Sequence, residues 1–471
     1  MDSSMGGGRP VAGTTFWRAA LLVLAGAVLY VAYQAECPAT PPGSPADVPR
    51  GLWYLAGSAA FVVVLVLFSI RPVVSGLRRI GLWRALLLVG LGCLAVSGVA
   101  AWRRTAGAPD VVAVVILGMG LLLLALWRPT GARTLAALLA AGVALRLVLV
   151  AHVPLDAQRA DMLPLIQAAC RNLLSGQPPY RLYTFHEWPL PLTYLPGTWL
   201  AYLPAVAWNL DLRLVNVVAS AGAVAILWAA VRRAPSAPLV GVLFLLPQVV
   251  VFDLYAEVAV FWVVLAGFLA CLVRERYALA AACYGLALAT SPLALIFVPL
   301  LFAFLLWRLP ARQLVGTMLL AVGVATVLVL PFLLWSPSEF LYGTVTWFND
   351  PNIAGAGGWL DRNQLYQVGL AGWFWLFDWV DWLRPIQVGL LSLATVGVLV
   401  RARTSEGHCA RAGLLLAMLW AYVGFVFFNL IIWPYLYVPA LLLAFLFVAE
   451  SEFTANSCGG NKTASPARAS P

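Results

Sequence analysis

A cluster of charged residues follows one of the most apolar runs of the chain. Asp156, Arg159 and Asp161 open the segment "LDAQRADMLPLIQAACRNLLSGQPPY", residues 155–180. A carboxylate there can take a proton from a reacting hydroxyl, and an arginine can bind a phosphate through paired hydrogen bonds. Asp161 also stands where a helix N-cap belongs, and Asp156 is equally explained as a solvated loop carboxylate. The residue types alone leave both the catalytic and the structural interpretation open.

Further candidates lie at the ends of other apolar runs. Arg146 lies inside the run that precedes this segment. At that depth an arginine costs about 1–3 kcal/mol unless it reaches the interface or finds a partner, and we expect a phosphate or carboxylate partner. His152 ends the same run and could contact a phosphate, although an interfacial histidine without function is the simpler interpretation. Asp253 and Glu257 flank "LYA" between two short runs; they are either interfacial carboxylates or part of the same cavity.

The composition identifies the elements that must position these residues. Of 471 residues, 63% are hydrophobic and only 10% are charged, whereas soluble domains carry about 25% charged residues. Many apolar runs are long enough to cross a ~30 Å hydrocarbon core as helices. The sequence therefore predicts an all-α, polytopic transmembrane bundle of about 14 spans. The predicted spans are residues 16–34, 52–70, 85–101, 111–127, 134–151, 212–231, 239–252, 257–272, 278–290, 292–307, 313–332, 385–400, 412–430 and 432–449.

The charges predict how this bundle is oriented. With the amino terminus in the cytoplasm, most of the 29 basic residues fall in cytoplasmic loops, as the positive-inside rule requires. Most of the 19 acidic residues fall on the outer face, which membrane insertion does not require. We therefore expect a multi-pass protein of the plasma membrane with both termini in the cytoplasm. The net charge of +10 follows from this topology and gives no reason to expect nucleic-acid binding.

Two predicted outer segments, 152–211 and 333–384, are too long to be simple turns. In the first, Asp161 precedes an amphipathic helix that Gly176 ends. Aromatic and proline-rich stretches in both predict juxtamembrane helices. We divide the chain into extra transmembrane helices (1–130), a main module (131–450) and a disordered cytoplasmic tail (451–471). The seven cysteines form no CxxC pair, so neither a metal nor a redox site is indicated.

The first outer segment resembles a known family pattern. An aspartate, a short helix ending in Gly-x-x-x-Tyr and an aromatic-proline stretch correspond to Asp161, Gly176, Tyr180, Tyr194 and Pro196. This pattern is similar to the first lumenal loop of the GT-C superfamily of integral membrane glycosyltransferases. The nearest match is the family 87 polyprenyl-phosphate-mannose-dependent mannosyltransferases. "VFDLYAEVAVFW", "LPFLLWSPSEFL" and "DRNQLYQVGLAGW" extend the resemblance over residues 134–449.

The resemblance implies an inverting hexosyltransferase. It would move a hexose, mannose by family analogy, from a polyprenyl-phosphate donor to a glycan or glycolipid acceptor on the extracytoplasmic face. It implies an outer-loop aspartate as general base, a cation for the departing phosphate, and a groove beside lipid for the polyprenyl chain. A divalent cation, Mg²⁺ or Mn²⁺, is a further possibility. Many members carry a lysine where this chain has Thr290 or Ser291.

Each role has candidate residues. Asp161 is the first choice for the base and Asp156 is the second. The candidates for binding the donor phosphate are Arg146, Arg159, Arg362 and His152. The candidates for binding substrate are Asp253, Glu257, Tyr180, Asn363 and Gln364.

The main alternative is a multi-span transporter or a lipid flippase. Transporters tend to show internal repeats and buried ionisable residues near the bilayer midplane. No repeat is evident in this chain, and its acidic residues gather at the predicted outer ends of helices. These features favour the transferase.

Overall fold

The computed structural model describes residues 82–105, 108–127, 131–157, 160–185, 188–234, 236–347, 369–371, 374, 377, 379–429 and 434–459. The predicted spans 16–34 and 52–70 lie outside these ranges. The described residues form a helical bundle with one two-stranded hairpin. Its long helices are α1 (Leu82–Arg104), α2 (Pro109–Trp127), α3 (Gly131–His152), α7 (Arg213–Val231), α10 (Ala259–Val273), α11 (Tyr277–Thr290), α13 (Ala311–Trp335), α15 (Leu383–Thr404), α16 (Gly407–Phe427) and α17 (Val438–Gly459).

Several helices can cross a membrane, as the sequence predicts. Within the described ranges, six are long and apolar enough to do so, or seven if one bent pair counts as a single span. The six are Gly131–His152, Arg213–Val231, Ala311–Trp335, Val380–Thr404, Gly407–Phe427 and Tyr435–Phe453. Further apolar helices, α1 and α2 among them, have shorter apolar stretches. The prediction of a helical membrane bundle is confirmed in this coarser form, and the count of fourteen is not.

The predicted span 239–252 is wrong as one continuous helix. It consists of α8 (Leu239–Phe244) and α9 (Pro247–Tyr255). Pro247 disfavours a helical conformation for the preceding residue, and Leu246 is extended with ψ 130°. After α9 the chain bends by 119° into α10. In the predicted span 292–307, a 3₁₀ helix (Pro292–Phe297) precedes α12 (Val298–Leu305).

The first predicted outer segment is folded around its own small core. The amphipathic helix α4 (Met162–Leu174) ends at Gly176, whose φ of +73° suits glycine. A hairpin that the all-α prediction missed follows, with β1 (Leu182–Phe185) paired to β2 (Trp188–Pro191). The next stretch forms α5 (Pro196–Trp199), a 3₁₀ turn (Leu200–Tyr202) and α6 (Leu203–Ala207). These short helices confirm the prediction that this stretch is not a span.

The second predicted outer segment is described at its two ends. It begins with α14 (Pro337–Leu341) and a π-helical turn (Tyr342–Thr346). A 3₁₀ turn (Val380–Trp382) leads into α15. Phe340 joins the small core of the first segment, so both segments pack together.

The predicted domain boundary near residue 130 does not separate two cores. The described residues of α1 and α2 belong to the same apolar core as the rest of the bundle. The Ser97 hydroxyl donates a hydrogen bond to the carbonyl of Leu245 at 2.9 Å. At the other end of the chain, α17 continues to Gly459, so the predicted tail begins as helix.

Charged contacts gather the arginine-rich turns at one end of the bundle. Arg411 on α16 bonds to Glu450 on α17 and to Glu275, which lies between α10 and α11. Arg308, after α12, donates to the carbonyl of Ser405, between α15 and α16. The opposite ends of α11, α16 and α17 point to the other end of the bundle, where the two outer segments lie.

Candidate functional site

A cavity of about 780 Å³ opens at the end of the bundle that holds the outer segments. Its walls are formed by the first predicted outer segment, the bend between α9 and α10, the end of α11 and the near ends of α15, α16 and α17. Its apolar lining includes Phe261, Trp262, Leu293, Phe425, Phe428 and Leu436. Its charged lining within the described residues is Asp161, Glu257, Asp381 and Arg384. The cavity therefore combines a few charges with a wide apolar surface, as ligand pockets usually do.

Asp161 precedes α4 but does not cap it. Its backbone is helical (φ −84°, ψ −16°), and its side chain makes no capping hydrogen bond to any described residue. Its carbonyl accepts the Leu165 N–H at 2.8 Å. The carboxylate lines the cavity instead, and burial raises its pKa above the usual aspartate value. Of the two interpretations of Asp161, this geometry favours the functional one.

Glu257 lies at the break between α9 and α10. Its side chain is buried and lines the same cavity. Its Oε2 atom has no hydrogen-bond partner among the described residues. Tyr194 and Asp161 both lie close enough to the Glu257 side chain to interact with it electrostatically. Glu257 and Asp161 therefore line the same cavity, whereas Asp253, which the sequence analysis considered together with Glu257, does not.

Side chains from two other elements hold the backbone that carries Glu257. The Asn216 amide donates to the carbonyls of Asp253 at 2.9 Å and Ala256 at 2.8 Å. The Tyr202 hydroxyl bonds to the Asn216 side chain and lies 3.1 Å from the carbonyl of Glu257. These bonds satisfy carbonyls that the helix break leaves without intrahelical donors. The first outer segment and α7 thereby fix the position of Glu257.

Arg146 and Asp253 form an ion pair with each other and do not line the cavity. Arg146 Nε lies 2.5 Å from Asp253 Oδ2, and both side chains are buried. The guanidinium also donates to the carbonyls of Gly142 at 3.1 Å and Phe244 at 2.8 Å. The expected carboxylate partner of Arg146 is therefore Asp253, and the pair connects α3 to α9. Neither residue lines the cavity, so we leave both out of the ligand-binding site.

Arg384, which the sequence analysis missed, is the arginine that lines the cavity within the described ranges. Its side chain is exposed and forms no ion pair with a described residue. A signal for it existed. Arg384 stands at the predicted outer end of a span, where the positive-inside rule makes a basic residue unexpected. It is thus available for an anionic ligand.

The other predicted site residues do not line the cavity. Tyr180 is buried, and its hydroxyl donates to the carbonyl of Tyr194 at 2.7 Å, which makes it a support for the cavity wall. His152 pairs with Asp110 near the surface. Asp156 is half-buried in the loop after α3. The predicted residues that lie outside the described ranges are Arg159, Arg362, Asn363 and Gln364.

The lining offers little for a metal ion. Among the residues that the structure describes, no group of three or more His, Cys, Asp or Glu side chains could hold one. Asp161, Glu257 and Asp381 each line the cavity, but they do not come together as a set of ligands for one ion. The described lining of the cavity therefore does not form a site for Mg²⁺ or Mn²⁺.

Comparison with family models, with curated proteins and with solved structures found no match for the chain. The resemblance to GT-C glycosyltransferases therefore depends on its motifs alone.

Proposed function

We propose that the protein is a GT-C-like membrane glycosyltransferase that uses a polyprenyl-phosphate hexose, with mannose as the first candidate. One observation carries the proposal: Asp161, Glu257 and Arg384 come from three separate elements to one apolar-walled cavity, and Arg384 forms no ion pair with any described residue. The acceptor hydroxyl needs a base, which Asp161 can provide. The donor phosphate needs a cation, which Arg384 can provide, and the lipid chain needs the apolar wall. Transfer would take place on the extracytoplasmic face, with the arginine-rich turns in the cytoplasm.

In this proposal Asp161 is the general base. It takes the proton of the acceptor hydroxyl as that oxygen attacks the anomeric carbon from the face opposite the phosphate. The bond from the anomeric carbon to the phosphate oxygen breaks, and Arg384 stabilises the charge that develops on the leaving phosphate. Phe425, Phe428 and Leu436 offer apolar contact to the polyprenyl chain. Attack from the opposite face inverts the anomeric centre.

The test is sugar transfer from radiolabelled polyprenyl-phosphate mannose by the purified protein in nanodiscs, with a membrane glycolipid extract as acceptor. We expect Asp161→Asn to lower the rate by about 10²–10⁴-fold, the range of general base catalysis. Glu339→Gln is a matched control, because Glu339 is an exposed acid at the same end of the bundle and does not line the cavity. Wild-type transfer by Asp161→Asn would refute the assignment of the base. Absence of transfer by the wild-type protein from any polyprenyl-phosphate hexose would refute the transferase.

A lipid flippase or transporter is the second candidate, and the broken α9–α10 pair favours it. Discontinuous helices carrying ionisable residues line the binding sites of many transporters. Proteoliposomes with fluorescent polyprenyl-phosphate sugar in both leaflets distinguish the two. A flippase makes the inner-leaflet lipid accessible to an added quencher without changing its sugar, whereas the transferase releases polyprenyl phosphate.

A further inference from the structure

Two buried polar atoms at the wall of the cavity have no partner. The Tyr422 hydroxyl and Glu257 Oε2 form no hydrogen bond with any residue that the structure describes, and both residues line the cavity. Buried polar groups are normally paired, because an unpaired one keeps the full cost of its removal from water. Because both residues belong to the wall of one cavity, a ligand held there is the natural source of the missing hydrogen bonds.

Tyr422 differs in this respect from other buried tyrosines near the cavity. The hydroxyl of Tyr284 donates to the carbonyl of Ala294 at 2.7 Å, and that of Tyr180 to the carbonyl of Tyr194. The ring of Tyr422 stacks on Phe297, with ring centroids 5.7 Å apart and planes 23° apart. A phenylalanine would preserve this packing without burying a hydroxyl. The hydroxyl therefore adds nothing to the fold that the ring does not already supply.

The surroundings of Tyr422 define the chemistry of its partner. Tyr435 lies near enough to Asp161, Glu257 and Tyr422 to interact with them electrostatically, and all four residues line the cavity. Two carboxylates there repel an anion, which disfavours phosphate as the partner of Tyr422. A polyprenyl chain offers no hydrogen bond at all. A neutral group that carries hydroxyls can both donate to Glu257 and bond with Tyr422.

We propose that Tyr422 is a specificity-determining residue that binds a hydroxyl of the transferred sugar, while Glu257 Oε2 accepts a hydrogen bond from a second hydroxyl of the same ring. This assignment rests on the proposed function and adds a sugar subsite to it. The sugar then lies between Tyr422 and Glu257, and the phosphate lies toward Arg384. A site that pairs buried polar groups with substrate hydroxyls discriminates strongly against ligands that lack them.

The test compares the binding of two probes, polyprenyl-phosphate mannose and the same polyprenyl phosphate without sugar, to the full chain in nanodiscs. In the wild-type protein we expect the mannosyl lipid to bind more tightly. Tyr422→Phe should weaken binding of the mannosyl lipid by about tenfold, the loss of one hydrogen bond in a buried site. Binding of the bare lipid should not change. Tyr284→Phe is the control, since it removes a buried hydroxyl that is bonded to the protein and should leave the difference between the probes intact.

The outcomes separate this inference from the proposed function. If Tyr422→Phe weakens both probes equally, or neither, Tyr422 does not bind the sugar and the inference is wrong, whatever the transfer assay gives. If the wild-type protein prefers the mannosyl lipid and Tyr422→Phe removes the preference, the subsite stands even where no transfer is detected. In that case the transferase fails and the sugar site remains. Equal binding of both probes to the wild-type protein overturns the inference.

Discussion

The buried ion pair that joins α3 to α9 should respond to mutation in a strongly non-additive way. Arg146→Met leaves the Asp253 carboxylate in the interior with only the Ser220 hydroxyl, at 2.6 Å, as a partner. Asp253→Leu leaves a buried guanidinium whose remaining contacts are two carbonyls and the Phe244 ring, 3.8 Å from Arg146 Cζ. Breaking a buried pair by removing one partner costs about 3–5 kcal/mol. Each single change should cost that much.

The double change should cost less than either single one. Replacing both members with apolar side chains removes the uncompensated charge, and such exchanges are often neutral. Here the carbonyl of Phe244, at the end of α8, would lose a donor, which adds about 1–3 kcal/mol. The carbonyl of Gly142 lies inside α3, and the Ser220 hydroxyl can bond to a carbonyl of its own helix, so their losses add less. Independent effects would instead sum to about 6–10 kcal/mol. We therefore expect the double variant, Arg146→Met with Asp253→Leu, to recover several kcal/mol relative to that sum.

The free energy of unfolding can be measured by SDS titration in mixed micelles, with Arg312→Met as the control. Arg312 is an exposed arginine at the start of α13, and its replacement should change stability by about 0.5 kcal/mol or less. A loss below about 1 kcal/mol in the single variants would refute the reasoning that Arg146 and Asp253 form a structural pair. Simple additivity in the double variant would do the same.

Four further predictions concern the cavity and its supports. Because burial raises the pKa of Asp161, the stability linked to its protonated form is lost as the pH rises through that raised value. Asp161→Asn should therefore raise the melting temperature at neutral pH, although it lowers the rate of transfer. For the same reason, the acidic limb of the wild-type pH–rate profile should lie above the usual aspartate value of 3.8. Gly197→Ala would place a Cβ 2.7 Å from a carbonyl oxygen of α11 and should cost about 1–3 kcal/mol in the same micelle titration, whereas Gly316→Ala meets nothing within 4 Å and should not. Arg384→Gln should raise the KM for the donor at least tenfold, and Arg312→Gln, at the opposite end of the bundle, should leave it unchanged.

The sequence could predict the helical bundle and the end at which the site lies, because both follow from the contrast between apolar runs and charged turns. Hydropathy locates the helices, because a chain inside lipid must satisfy its own backbone hydrogen bonds. The arginine-rich turns mark the predicted cytoplasmic end, which is opposite to the cavity. It could also predict Asp161, since an aspartate after a span and before an amphipathic helix must lie near the interface. Whether its carboxylate would cap α4 or face a cavity depends on how α4 packs, which periodicity does not give.

The roles of the other acids could not be predicted for the same physical reason. Asp253 and Glu257 are one helical turn apart and belong to the same apolar context. Asp253 faces Arg146, which is distant in sequence, and Glu257 faces the cavity. The helix break at Ala256 turns the two side chains in different directions. Asn216 and Tyr202 hold this break through hydrogen bonds to the carbonyls of Ala256 and Glu257. Contacts between elements far apart in the chain decide which carboxylate supports the fold and which is left for a ligand.

Asn216 shows how these two roles depend on each other. Its amide bonds to the carbonyl of Asp253 and so fixes the end of α9 that Arg146 also holds. The same amide bonds to the carbonyl of Ala256, one residue before Glu257. A polar group inside a membrane bundle is retained at a cost in stability. Here that cost is offset by hydrogen bonds that join α7, α9 and the first outer segment. These bonds fix the position of the Glu257 carboxylate, whose Oε2 atom has no partner among the described residues. Of the two acids beside the helix break, Asp253 is paired with Arg146, and Glu257 is the one that lines the cavity, where a ligand can donate a hydrogen bond to it.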